Sequence, residues 1–444
     1  MQLQVMLLAL AILFVSSASA NTFYVDGRRG QDTNPGTRNA LWRTIQKASA
    51  TLQPGDTALV SEGEYRERIH VTRSGSAGIP ITYQAAGNVV MEGFRITADY
   101  IRVKGFEITS QIRLIEESYG VYLRGQHNEV LDNTIHDIYH DGIMLAGEGG
   151  PHSPPTAYNV VRGNRIYRAS SSGITVEGVK NLIEGNDISH IIQYPPGGPA
   201  YDGADADGLR PFGTGHIFRK NRVHDIRSDD LGNLDPHIDC IETWGPATDM
   251  LFEQNFCDAE DTDFLPVQGA QIENGSGVVN HITFRNNIFM NVRVGIHVEK
   301  LGSTDITSVE MVNNTFYKIT YQGILLEGPS SGRLQNNAFF DVGSHKDSYV
   351  ALGADSKGMV IGYNAHAMSD GRPPGTLGSH APYPHDLWGV DPKFVNVTAR
   401  DLRLLPNSPL VDAGVALKDV TVDIRGVPRP QGRGYDVGAY ESKP

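Results

Sequence analysis

Between Asp205 and Gly245 the chain gathers Asp205, Asp207, Arg210, Asp235, His237, Asp239, Glu242 and Trp244. Two pieces, DGLRPFG and DCIETWG, repeat one pattern with their aspartates 32 residues apart. Such a set offers three kinds of chemistry. Neighbouring carboxyl groups share a proton or divide into acid and base. A histidine flanked by carboxylates, as His237 is by Asp235 and Asp239, serves as a base near neutral pH. The oxygens of Asp205, Asp207 and Asp239 are the hard ligands that Ca²⁺ takes. Aspartate is also the ordinary residue of turns, and Asp141 holds the same place in a plain stretch.

These side chains meet only if the chain returns repeatedly to one place. An asparagine flanked by alternating apolar residues recurs at Asn133, Asn164, Asn186, Asn221, Asn255, Asn287, Asn314, Asn337 and Asn364. The intervals are 31, 22, 35, 34, 32, 27, 23 and 27 residues. Two residues after most of them stands an apolar residue, from Ile135 to Phe339, and a second short strand follows in each unit. A floor near 22 residues built of short strands means a solenoid. The expected fold is all-β, a single-stranded right-handed parallel β-helix with asparagines stacked along its axis. Propeller blades of about 40–45 residues do not fit this period.

Insertions locate the groove. From the ladder asparagine to the core residue of the next strand the count is 9 or 10 in plain coils. It rises to 23, 20 and 17 in three successive coils. Inserts at 191–206, 227–238 and 259–269 therefore leave one corner and wall one side. An apolar face from Trp42 to Leu52 predicts a helix that caps the first coils, residues 21–80. Coils run over 81–366, and residues 367–444 form a C-terminal cap.

Alternation places the residue after each core position outward. That column reads Met144, Thr175, Arg210, Glu242, Glu273, His297, Leu325. Arg210 is expected beside Glu242, and Glu242 beside Glu273. Trp244, two residues past Glu242, offers a face for a sugar ring, with Glu273 and His297 contacting the same ligand. Lys300 is the nearest lysine to serve as an alternative base.

The net charge of −13 argues against a nucleic-acid partner. Residues 1–20 read as a secretory signal cut before Asn21, and no other stretch is long enough to span a membrane. The protein is expected outside the cytoplasm, as a monomer. Its two cysteines, Cys240 and Cys257, read as buried apolar residues, and spacing alone does not decide whether they are bonded.

The opening, from FYVDGRRGQDTNPGT through TIQKA to GEYRE, resembles secreted bacterial β-helix proteins, including pectate lyases of polysaccharide lyase family nine. The end, LLPNSPLVDAG to YDVGAYE, resembles the tail of bacterial right-handed β-helix repeat proteins. Asp235-Pro236-His237 resembles the DPH motif of mannuronan C5-epimerases. The resemblance implies removal of the C5 proton of a uronate in an anionic polysaccharide, by a lyase or an epimerase. His237 or Lys300 would be the base, Arg210, Asp235 and Glu242 would act with it, and Ca²⁺ would assist. An inverting glycoside hydrolase using Glu242, Glu273, Asp207 and Asp239, and a non-enzymatic surface β-helix, are the other readings of this scaffold.

Overall fold

A computed structural model describes residues 20–110, 112–114, 117–147, 155–192, 206–226, 238–259, 267–328, 331–343, 350–353, 356, 358–371 and 382–443. The expected signal segment and most of each insert lie outside these residues, as do Asp205, Asp235 and His237.

Three stacks of short strands run along the molecule, and every pairing within them is parallel. The first stack contains Thr134–Ile138, Arg165–Ala169, Asp187–Ser189, Arg222–His224 and Phe256–Asp258, paired in that order. The second contains Ile143–Leu145, Ser172–Val176, Asp207–Pro211 and, further on, Gln268–Glu273, Val294–Glu299 and Ile324–Glu327. The third contains Glu129–Leu131, Val160–Arg162, Leu182–Glu184 and Ile217–Arg219. Plain strands such as Ile143–Leu145 bury alternate residues, so one face points into a continuous apolar core. This is the parallel β-helix that the repeat implies.

The asparagine ladder is continuous. The Asn133 amide nitrogen donates to Asn164 Oδ1 at 3.0 Å, and the same bond repeats rung by rung through Asn364. Each Oδ1 also accepts the backbone N–H of the preceding rung, as Asn164 does from Asn133 at 3.0 Å. The residue before each ladder asparagine sits at positive φ, for example Asp132 at 53° and Lys220 at 56°. The left-handed step costs an L-residue about 1–2 kcal/mol. It turns the corner so that the amide points inward, where it satisfies backbone groups that a buried turn would otherwise strand. A second ladder, Asn128, Asn159, Asn181 and His216, lies at the preceding corner.

Aromatic stacks fill the C-terminal half of the core. Phe289, Phe316 and Phe339 lie face to face with centroids 5.5 and 4.8 Å apart. Between the first and second stacks runs a glycine column, Gly142, Gly173, Gly208, Gly269 and Gly295. A Cβ at Gly173 would meet Ile188 Cγ2 at 2.6 Å, and one at Gly208 would meet Val223 Cγ1 at 2.5 Å. One rung breaks this rule twice over. Cys240 stands where its neighbours have glycine, and Cys257 stands where the facing coils have Ile, Val or Phe. The two are joined in a disulfide. Both are buried, as the sequence implies, but they are bonded rather than free thiols. The small Cys257 vacates the volume that the Cys240 side chain needs.

The N-terminal helix is shorter than its apolar pattern suggests and covers Ile45–Thr51, with the Thr44 side chain capping the Lys47 N–H. Trp42 precedes it in a bridge to Val25 and stacks on Phe23 at 4.7 Å, closing the end of the core. At the other end the chain turns back along the coils. Carbonyls of Asp423, Val422 and Asp436 accept from Gln254, Asn286 and Asn313, the left-handed residues beside the ladder. A buried Arg429–Glu441 ion pair at 2.8 Å holds this tail together.

Candidate active site

The second stack carries the site because both faces of its central strands are covered. Every residue of Asp207–Pro211 is buried, unlike the alternating Ile143–Leu145. Pairing sets Met144 opposite Thr175, Thr175 opposite Arg210, and Leu209 opposite Ile241, which brings Arg210 level with Glu242. The next rung departs from expectation. Glu242 pairs with Gln271, not Glu273, and Gln271 pairs with His297. Gly269 takes the corner glycine position, so Ala270 is the core residue opposite Ile296, and Ile272 packs one inward position later. Glu273 therefore stands in a different outward column, followed by Glu299 and Glu327.

Asp207 and Asp239 stand side by side just before the corner and point outward with Arg210 and Glu242. Asp207 Oδ1 accepts the backbone N–H of Asp239 at 2.9 Å, and its Oδ2 accepts from Arg210 Nε at 2.7 Å. Asp239 Oδ1 accepts the Gln268 N–H at 2.9 Å. Arg210 Nη1 also donates to Ser171 Oγ at 2.9 Å. Carboxylate oxygens of Asp207, Asp239 and Glu242 all lie within 4.8 Å of one another. Asp207 and Asp239 are 0% exposed, Glu242 5% and Arg210 9%.

Three buried carboxyl groups and one guanidinium do not all carry charge cheaply. Burial drives the Asp207 carboxyl well above the usual range, and the Glu242 charge beside it pushes the same way. Arg210 pulls against both, and Asp239 adds to the rise. Asp207 and Glu242 also share a side-chain hydrogen bond, so a proton is held between them.

Trp244 flanks this cluster. Its ring lies edge-on to Phe212 with centroids 4.7 Å apart, and the Arg210 guanidinium carbon sits 5.7 Å from the Trp244 ring centre. Glu177, Gly178, Phe212, Gly213, Trp244 and Pro246 enclose a cavity of about 360 Å³ open to solvent. The sequence placed Trp244 at this edge but gave no sign of Phe212 as its partner.

The remaining candidates lie further along the stack. His297 Nε2 is 3.3 Å from Glu327 Oε2, and Lys300 bonds to Asp305. His297 is two rungs from Glu242, about 10 Å at the usual strand spacing, and Lys300 follows the end of the same strand. Gln268 and Gln271 were not singled out in the sequence, although both interrupt a polar column otherwise made of Asp, Arg, Glu and His.

Among the described residues no helix is long and apolar enough to cross a membrane. The chain is 24% identical over 282 residues to the pectate disaccharide-lyase of Dickeya chrysanthemi, an alignment covering 60% of this chain and 31% of that protein. The chain spans no more than about a third of the length of the curated relatives it matches. Among solved structures, pectate lyase Pel9A superposes with a TM-score of 0.53 at 18% identity, covering 96% of this chain and 97% of that one. XylC in complex with xylose gives 0.57 at 14% identity, over 94% and 98%. These likenesses are of fold. The family model described as right-handed beta helix region matches residues 92–339, more than half of the chain. With the parallel stacks and the asparagine ladder, this match establishes that the chain belongs to the right-handed beta helix family.

Proposed function

We propose that the chain is a carbohydrate-active enzyme that cleaves a polysaccharide along the second stack, with Asp207 as acid and Glu242 as the reacting carboxylate. The observation that carries this reading is the buried trio Asp207, Asp239 and Glu242 with oxygens within 4.8 Å. Two carboxyl groups whose proton affinities are pushed apart divide into acid and base roles. Their closeness favours a glycoside hydrolase of the retaining type, for which about 5–5.5 Å is usual, over the inverting type that needs about 6.5–9.5 Å for a water. Asp207 would protonate the glycosidic oxygen as Glu242 attacks the anomeric carbon. The bond to the leaving sugar then breaks, and water releases the product in reverse order. Trp244 and Phe212 would hold an adjoining ring. The matched pectate disaccharide-lyase and the pectate lyase structure support a glycan substrate.

Removal of the C5 proton from a uronate, by a lyase or epimerase, is the second reading. Arg210 favours it, because a guanidinium at the cluster neutralises a uronate carboxylate. Its proposed base, His237, lies outside the described residues, and Lys300 is engaged with Asp305. The oxygen donors of Asp207, Asp239 and Glu242 fit Ca²⁺, and the buried Gln268 Oε1, which has no hydrogen-bond partner among the described residues, adds a further donor. Bound there, calcium would supply positive charge to a substrate carboxylate.

The two readings separate on a panel of pectin, alginate, glycosaminoglycans and neutral xylans. Hydrolysis gives reducing ends without the ultraviolet absorbance of an unsaturated uronate, and proton magnetic resonance of the first product shows a retained anomer. Unsaturated products, or C5 inversion without cleavage, replace hydrolysis by the second reading. Turnover of every active polymer unchanged in both Asp207→Asn and Glu242→Gln removes the cluster from catalysis.

A further inference from the structure

Beyond the trio, the stack carries a feature that neither reaction uses. Glu273 pairs with Glu299, and Glu299 with Glu327, so three carboxylates stand on successive rungs about 4.8 Å apart. Elsewhere on this molecule, stacked carboxylates meet arginines. Arg102 covers Glu129, Arg162 and Arg219 flank Glu184, Arg285 covers Glu253, and Arg333 covers Glu310. In the glutamate column the recorded partners are instead Gln271 and His297.

Two observations point to a missing cation. His297, Glu299 and Glu327 each bring one ligand atom within 4.8 Å of the others, with His297 Nε2 and Glu327 Oε2 at 3.3 Å. Separately, Gln271 is 2% exposed, and its Oε1 has no hydrogen-bond partner among the described residues. Its amide nitrogen donates to Glu273 and, at 3.3 Å, to Glu299, so the amide group lies against this column. A buried amide oxygen left unpaired costs about 1–3 kcal/mol unless something positive faces it.

We propose that His297, Glu299 and Glu327, with the Gln271 amide oxygen beside them, form a binding site for a divalent transition metal of the zinc class. Nitrogen and oxygen ligands about 2.1 Å from a tetrahedral ion lie about 3.4 Å from each other, close to the His297–Glu327 separation. An imidazole in the set favours zinc or cobalt over calcium, which takes oxygen ligands. The ligands come from two neighbouring strands, Val294–Glu299 and Ile324–Glu327, so the ion ties adjacent coils together and cancels the repulsion of the column. The site is separate from the oxygen-only set at Asp207, Asp239 and Glu242 and does not depend on the reaction assigned there.

The test uses the full chain, stripped with a chelator and titrated with Co²⁺, whose visible absorption reports imidazole and carboxylate ligation. Zn²⁺ is then added as a competitor. The expected result is one saturable Co²⁺ site per chain, displaced by Zn²⁺. His297→Ala and Glu327→Gln should each weaken it at least tenfold, while Asp207→Asn should change it less than about twofold. Melting curves in metal-free buffer establish that the variants fold. Absence of a saturable Co²⁺ spectrum overturns the proposal. So does binding that survives in folded His297→Ala and Glu327→Gln, or that disappears in folded Asp207→Asn alone.

Discussion

Asp207 Oδ1 takes the backbone N–H of Asp239 one rung away, and Asp239 in turn takes that of Gln268. The same carboxylates that face the site are therefore also the struts that hold its strands in register. Asp239→Asn keeps an oxygen for the Gln268 N–H, whereas Asp239→Ala leaves that donor buried and unpaired. Alanine should lower unfolding stability by about 1–3 kcal/mol in urea, and asparagine should recover most of it. Equal losses in the two variants would show that the bond contributes nothing.

Asp207 gives the site a defined pH response. Its native proton affinity lies above the ordinary value of 3.8, so the native state holds a proton that the unfolded chain releases. The stabilisation linked to that proton is complete below the ordinary value and is lost as pH rises through the native one. Wild type should therefore lose stability relative to Asp207→Asn as pH climbs above about 4. Turnover should fall on the same alkaline side as the acid loses its proton. Parallel stability profiles for the two proteins would contradict this assignment.

His216 works in the opposite direction. It ends the second ladder, where Nδ1 accepts the Asn181 N–H at 3.0 Å and Nε2 donates to the Phe212 carbonyl at 2.9 Å. Burial lowers its pKa from 6.5 to about 4. The unfolded chain binds a proton that the native state refuses, so stability is full above 6.5 and falls as pH drops towards 4. The shift corresponds to about 3 kcal/mol. His216→Asn supplies the acceptor that the other rungs use and should remove most of this acid loss. Chemical denaturation between pH 7 and pH 4 measures it.

The disulfide rung can be returned to the plain pattern. Cys257→Ile alone breaks the bond and forces a branched side chain against the Cys240 Cβ. Cys240→Gly with Cys257→Ile breaks the same bond but restores the pairing used by Gly173 and Ile188. The double variant should be more stable than the single by about 1–3 kcal/mol, the usual cost of overpacking. Both should fall below wild type by about 3 kcal/mol for a bridge that closes a 17-residue interval. A single variant as stable as the double would mean that the corner has room to spare.

The parts legible in the sequence are those that repeat. Asn133 to Asn364 announced the axis because each rung needs the same amide, and the three long intervals announced the groove because inserts leave a solenoid only at corners. The error at Gln271 has a specific cause. A one-residue slip turns every side chain to the wrong face and is easily noticed, but a two-residue slip preserves the alternation. Ile272 looked inward on either register. Gly269, matching Gly208 and Gly295, was the mark that fixed it. The second ladder was visible too, five residues before the first at Asn128, Asn159, Asn181 and His216. The cysteine bond was not, since it needs the knowledge that the corner glycine faces the core residue of the following coil.

The asparagine ladder also has a direction and an end. Every rung offers an oxygen backwards and a nitrogen forwards, and the Asn364 backbone N–H donates to Asp386 Oδ1 at 2.8 Å. A carboxylate accepts but donates nothing, so the series closes there without a dangling N–H. Asp386 acts as punctuation in a text whose letters are amides. Anyone lengthening or shortening this rod by whole coils should copy asparagine at each new rung and keep the aspartate for the last.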